Sequence, residues 1–148
     1  MRCWIHDERL YVEMEAGRPG LELDDTVPYL KQRIPGIEKY VTRADSARPE
    51  SISHLKRHGM PKAEAAPKWS GSVEDGIQFI RSFKKVYIHP DCPYAQREAR
   101  MYSYKVDRLT GDITTTIVDA ENHVWDAVRY ALAPLIKRGP SYDIFGLV

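Results

Sequence analysis

Near the end of the chain an imidazole, a carboxylate and a phenol recur at helical spacing: His123, Asp126 and Tyr130. Residues three and four apart on a helix stack one above the other, so these three share a face. An imidazole and a carboxylate pointing off a helix flank can hold a divalent metal or position a water. A surface helix with the same two groups merely solvated has the same spacing, and spacing alone leaves both readings open. A second acidic candidate, Asp45, closes the β-forming run Tyr40-Val-Thr-Arg-Ala-Asp45 and precedes Ser46-Ala-Arg-Pro49. The edge of a sheet where strand gives way to helix is where α/β proteins gather their chemistry. In that place Asp45 or Ser46 also makes a good helix N-cap. Lys68, beside the glycine-bearing turn at Gly71 and the helix start at Ser72, could meet a phosphate through its ammonium and free backbone N–H groups, or be solvated. Lys105 and Arg108, with tyrosines nearby, suit a ribbon lying along a nucleic-acid backbone, although basic residues on hairpins are commonplace. His89, next to Pro90 at a strand end, reads as structural, and the pair Asp24-Asp25 needs only a helix macrodipole to explain it.

The elements that must position these side chains follow from period and punctuation. Residues 2–6 and 9–15 flank His6-Asp-Glu8 as a hairpin, with Leu10, Val12 and Met14 alternating against Tyr11, Glu13 and Glu15. Leu23-Asp-Asp-Thr26 offers caps for a helix to about Ile34, stopped by Pro35-Gly36. After the strand ending at Asp45 a helix is expected over about 49–58, then a strand at 62–66. Ser72 is expected to cap a helix that buries Val73, Ile77 and Phe79 or Ile80. A strand over 85–90, a helix from Pro93 to about Met101, and a second hairpin with arms 102–107 and 112–117 complete the middle of the chain. The last helix is expected from Asp119, as N-cap, to Ile136, with an apolar face of Val124, Val128, Ala131 and Leu135. Residues 138–148 read as a tail.

A chain of 148 residues suits one domain. With 22 Lys and Arg against 21 Asp and Glu the net charge is +1, so any contact with nucleic acid must come from local clusters. Cys3 and Cys92 form no C-x-x-C and are expected as reduced, buried thiols. No run approaches the roughly 18 apolar residues of a membrane span, and the first residues lack the apolar core of a signal peptide, so a cytoplasmic protein is expected. No G-x-x-x-x-G-K-S/T motif occurs, so an ATP-hydrolysing P-loop is not expected here.

The run Asn122-His123-Val-Trp-Asp126-Ala127-Val-Arg129-Tyr130-Ala131-Leu132 resembles the N-H-x-x-D-A-x-R-Y-A signature that closes the nuclease domain of phage terminase large subunits, the DNA-packaging motors of tailed phages. Leu10-Tyr-Val-Glu13, Ala44-Asp-Ser-Ala-Arg-Pro49, Lys68-Trp-Ser-Gly-Ser-Val-Glu-Asp-Gly-Ile77, Ile88-His-Pro90 and Tyr102-Ser-Tyr-Lys-Val-Asp107 fit that family in order, from about residue 4 to about residue 133. The resemblance implies a ribonuclease H-like α/β fold, a mixed sheet flanked by helices, over residues 1–137. It further implies hydrolysis of double-stranded DNA with two divalent ions, Mg2+ or Mn2+. Asp45, Asp126 and His123 would be the metal and catalytic residues, and Lys68, Lys105 and Arg108 the DNA contacts. The partners implied are a portal protein, a small terminase subunit and an ATPase domain. The family carries its first metal-binding aspartate in an opening strand, within D-x-G, just before the segment that resembles Arg2-Cys-Trp-Ile5. This chain begins with Met1 at that later point, so that central strand and its aspartate are expected to be missing. Weak metal binding is then expected, together with an opened seam between the first hairpin and the strand ending at Asp45. That seam would be re-paired, strained or filled by another chain, with a homo-oligomer as one outcome. A rival expectation is a catalytically inactive remnant serving as a DNA-binding or assembly module.

Overall fold

The structure, a computed structural model, describes residues 1–101, 104–106, 113–117 and 123–136. Strands β1 (Arg2–His6) and β2 (Arg9–Met14) form an antiparallel hairpin, and β5 (Lys85–Ile88) adds to β2 in parallel. The turn between the first two strands is only Asp7-Glu8, both at positive φ (48° and 58°), the backbone that lets a two-residue loop follow the twist of its strands. Alternation sends Leu10 and Val12 into the core, while Trp4, Tyr11 and Tyr87 stack in a row on the outer face, with centroids 4.0 and 4.9 Å apart.

The second half of the framework is a separate parallel pair, β3 (Thr42–Ala44) and β4 (Ala63–Ala65), joined by α2 (Pro49–Arg57) with proline in its first turn. Helix α1 (Leu23–Arg33) and the 3-10 turn Ile37–Lys39 precede it. Helices α3 (Ser72–Ser82) and α4 (Pro93–Met101) flank β5, and α5 (His123–Ile136) closes the described chain. Strands β6 (Tyr104–Val106) and β7 (Ile113–Ile117) pair antiparallel as the second hairpin, and its turn, with Arg108, lies outside the described residues. The tail after Ile136 lies outside them as well.

Burial follows the same division. Leu10, Val12, Cys92, Ala95, Trp125, Val128 and Leu132 make one core beneath β1–β2–β5. Val27, Ile34, Ile37, Ile52, Leu55, Met60 and Ala63 make another between α1, α2 and the β3–β4 pair. Among the described residues no hydrogen bond joins β1 to β3, so the sheet is open between the first hairpin and the strand that leads to Asp45. Both cysteines are free; Cys92 is buried and Cys3 half-buried, and burial pushes both thiols up.

Two sequence expectations are corrected, and a third lies outside the described residues. The described part of helix α5 is His123–Ile136, and the expected N-cap, Asp119, lies outside the described residues. Its buried side is Trp125, Val128, Arg129, Leu132 and Ala133, a stripe turned away from the expected Val124, Val128, Ala131 and Leu135, because α5 packs between α3, α4 and β3 and not on one neighbour. Val73 is exposed, so the buried stripe of α3 starts at Gly76 and Ile77.

Candidate active site

Asp45 follows β3 directly, and its own backbone turn orients it: Oδ1 accepts the N–H of Ala47 at 2.9 Å. Because β3 and β4 run parallel, the loop leaving β4 emerges beside the one leaving β3, and it brings Lys68 to Asp45, Nζ donating to Oδ1 at 2.5 Å. The pairing with Lys68, helped by the Ala47 N–H, holds the Asp45 carboxyl below its ordinary range. The same bond raises the Lys68 ammonium. Lys68 is therefore engaged by a protein carboxylate in this structure.

Helix α5 meets this strand end. Tyr130 Oη lies 3.4 Å from Asp45 Oδ2, the Lys68 ammonium stands 5.5 Å from the centre of the Tyr130 ring, and Arg43 of β3 donates to the Ala131 carbonyl at 3.5 Å. Burial, and then the charge of Asp45, raises the Tyr130 phenol. Asp126 sits one turn before Tyr130, so the same contact that fixes Tyr130 sets the second aspartate on the Asp45 side of the helix. Asp126 is held by Arg129 through a charge-assisted hydrogen bond. Arg129 is itself buried, and its Nε finds no partner among the described residues. Its stem lies against Gly76 of α3, where an added Cβ would come within 2.9 Å of Arg129 Cδ. Glycine at 76 is thus what lets α3 and α5 approach with an arginine between them.

His123 is the first residue of α5 and is exposed. The helix start behind it is capped from α4: Glu98 Oε2 accepts the N–H groups of Val124 at 2.8 Å and Trp125 at 3.3 Å. Burial raises the Glu98 carboxyl, and the two backbone donors oppose that shift. Another buried carboxylate acts one step earlier. Glu15, after β2, accepts from the N–H groups of Tyr94 at 2.9 Å and Ala95 at 2.9 Å, and so caps α4. Glu15 and Glu98 fix α4 on the sheet and α5 on α4, and neither stands out in the sequence. Their one signal is that each lacks the solvent face its neighbours keep, which needs the tertiary packing to see. Lys105 lies on β6, where only the backbone is described, and Arg108 lies outside the described residues.

A mixed sheet flanked by helices, with carboxylates delivered by a strand end and by a closing helix, defines the ribonuclease H-like class of α/β domain. The family described as "Terminase RNAseH like domain" matches residues 5–134, and the chain belongs to that family. The chain is 37% identical over 141 residues to the terminase large subunit of Bacillus phage SPP1, covering 92% of this chain and 33% of that protein. To the PBSX phage terminase large subunit of Bacillus subtilis (strain 168) it is 27% identical over 123 residues, covering 83% of this chain and 28% of the relative. The chain thus spans about a third of the length of these relatives. The crystal structure of the g2p (large terminase) nuclease domain from bacteriophage SPP1 with bound Mn superposes with a TM-score of 0.77 at 31% identity, over 84% of this chain and 70% of that one.

Asp45 and Asp126 are hard oxygen donors, the type that Mn2+ and Mg2+ take. Among the described residues, however, no three His, Cys, Asp or Glu side chains come together as a group that could hold a metal ion. Each aspartate instead carries a cationic partner, Lys68 or Arg129. The residues present suit such an ion in chemistry and do not by themselves complete its coordination. Among the described residues no helix is long and apolar enough to cross a membrane.

Proposed function

We propose that this chain is the nuclease domain of a phage or prophage terminase large subunit, a divalent-metal-dependent endonuclease that cuts double-stranded DNA during packaging. The observation that carries the reading is the meeting of Asp45 with Tyr130 of α5, one turn from Asp126, in a chain of the terminase ribonuclease H-like family. Asp45 and Asp126 are the metal-ligand candidates, and His123, exposed at the first turn of α5, can ligate or orient a water and a phosphate. Bound divalent ions would supply an activated water and stabilise the departing oxygen. Lys68 and Arg129 hold the two carboxylates in place until a cation competes for them, and a released Lys68 ammonium is free to meet a DNA phosphate. Lys105 and Arg108 are proposed to extend that phosphate contact. In the whole packaging machine the partners proposed are an ATPase domain, a portal protein and a small terminase subunit, as for the family.

The engagement of Asp45 by Lys68 and of Asp126 by Arg129 favours a second reading, a catalytically inactive module that binds DNA or partners. Plasmid cleavage in Mn2+ separates the two. Cleavage abolished by Asp45→Ala and by Asp126→Ala supports the nuclease. Metal-independent retention of DNA without cleavage supports the module, and cleavage that survives Asp126→Ala removes α5 from the site.

A further inference from the structure

The cations of this chain are unevenly accompanied. Arg2, Arg43, Lys68 and Arg129 each face a carboxylate. At the amino edge of the β3–β4 pair the pattern is reversed. Lys31, Lys39, Lys56, Arg57 and Lys62 are all exposed there, and none of them is ion-paired with a carboxylate among the described residues. Residues 51–63 contain no Asp or Glu, and residues 31–40 contain one, the half-buried Glu38. Glu64, which follows on β4, is taken by Arg43 at 2.9 Å. Over the whole chain the charges nearly cancel, at +1, so this group is a local positive field and not one part of a basic protein.

Turns and backbone bonds gather the five. Helix α2 is closed by Gly59 at φ 110°, and the Met60 N–H reaches back to the Leu55 carbonyl at 3.0 Å, which turns the chain sharply into Pro61-Lys62. Lys56 and Arg57 lie in the last turn of α2, directly before that glycine. Lys31, in the last turn of α1, rests on the same glycine: a Cβ added at Gly59 would stand 2.8 Å from its Nζ. Lys62 donates from Nζ to the Lys39 carbonyl at 2.8 Å, and its own carbonyl accepts the Thr42 N–H at 3.2 Å where β3 begins. A cation in a last turn complements the partial negative charge of a helix end, which accounts for Lys31, Lys56 and Arg57 one by one. Lys39 and Lys62 end no α-helix, so the cluster exceeds that need. Because α2 runs back along the strands, its nine residues at about 1.5 Å each set this edge about 13 Å from the strand end that carries Asp45.

We propose that the amino edge of the β3–β4 pair is a second surface for double-stranded DNA, which grips phosphates without reading sequence and stands apart from the site at Asp45. A polyphosphate suits it better than an acidic polypeptide. Contacts between proteins are depleted in lysine and centre on an apolar anchor, whereas contacts with DNA are strongly cationic. Four of these five cations are lysines, and the large apolar residues of the 51–63 segment, Ile52, Leu55 and Met60, are all buried. The stretch of duplex held here is a different one from that at Asp45, since the two surfaces occupy opposite ends of the strands. The choice of DNA as the polyphosphate rests on the proposed function, while the surface itself rests on the charge and the turns.

Fluorescence anisotropy of the full chain with a labelled duplex of about 30 base pairs and arbitrary sequence, from about 50 to 200 mM NaCl, tests this. EDTA is present, so that no divalent ion recruits DNA to Asp45. Replacing three of the cations together, Lys56→Gln with Arg57→Gln and Lys62→Gln, is expected to weaken binding at least about tenfold and to flatten the slope of log affinity against log salt by about 2 to 3, at about 0.9 per phosphate contact. The same change of charge elsewhere, Arg18→Gln with Lys85→Gln and Arg100→Gln, is expected to leave the slope nearly at the parent's value. Lys31→Gln with Lys39→Gln, which alters other elements, is expected to flatten it by about 2 and decides the matter if the first variant does not fold. Mn2+ binding in calorimetry is expected to be the same in the patch variants as in the parent, so a failed nuclease reading and a failed patch show in different measurements. Equal losses in the patch and control variants report net charge alone and overturn the proposal. So does an unchanged slope in both patch variants, whether or not they lose binding of polyglutamate, since its loss alone would make the occupant an acidic polypeptide.

Discussion

Lys68 and Tyr130 decide how Asp45 behaves, because the carboxylate is engaged on both oxygens before any cation arrives. An ion competing for Asp45 must displace the Lys68 ammonium, so Lys68→Met is expected to tighten Mn2+ binding in calorimetry while weakening retention of DNA. A variant in which both fall together would place Lys68 among the groups that build the site and not among those that mask it. The pair adds little to folding, since both partners are about half exposed, and Lys68→Met should shift stability by less than about 1 kcal/mol at neutral pH. The sign with pH follows from the lowered Asp45 carboxyl: its contribution is present above the unfolded value of about 3.9 and is lost as pH falls through the folded one. The difference between parent and variant should therefore vanish in acid. Asp45, His123 and Asp126 stand out in the sequence as candidates, from the spacing on the last helix and the motifs around them. The engagement of Asp45 by Lys68 and of Asp126 by Arg129 does not, because Lys68 is distant in sequence and Arg129 on a helix reads as solvated until Gly76 is seen to admit it into the interior.

At the scale of elements, α5 carries the candidate site, and its placement rests on two contacts no periodicity reveals. Adding a methyl group at Gly76 pushes on the Arg129 stem, so Gly76→Ala is expected to cost about 1–3 kcal/mol by thermal or urea unfolding and to loosen Asp126, lowering Mn2+-dependent cleavage further than Lys68→Met does. Stability lost with cleavage intact would separate the packing of Arg129 from the site. Glu98 offers a cleaner test through pH. Its carboxyl is raised in the folded chain, so its favourable contribution is complete below the unfolded value of about 4.3 and is lost as pH rises through the folded value. Glu98→Gln keeps an acceptor for Val124 and Trp125 without the charge, so its stability relative to the parent should improve from pH 4 to pH 7. A gap that runs the other way means that the two N–H groups favour the charged form more than burial opposes it. The stripe of α5 was misplaced from sequence for a related reason. With three elements packed around a helix, Trp125 and Arg129 are as enclosed as any valine, and apolar spacing cannot tell which arc is covered.

The whole molecule has two cores and an incomplete seam between them, and that arrangement makes a thermodynamic prediction. Leu10, Val12, Val128 and Leu132 lie under a three-stranded sheet tied to α4 and α5 by Glu15 and Glu98. The core of Ile34, Ile52, Leu55 and Met60 lies under a pair of three-residue strands that pair with no third strand among the described residues. With no backbone hydrogen bond shared between them among the described residues, the smaller unit should open without the larger one. Native-state exchange in low denaturant is expected to give the Thr42 and Ala66 amides, which bond across β3–β4, a lower opening free energy than His89, which bonds to Val12, by at least about 1 kcal/mol. One shared free energy and one shared denaturant slope would mean that α5, which packs against both β3 and the larger core, already makes the chain a single cooperative unit.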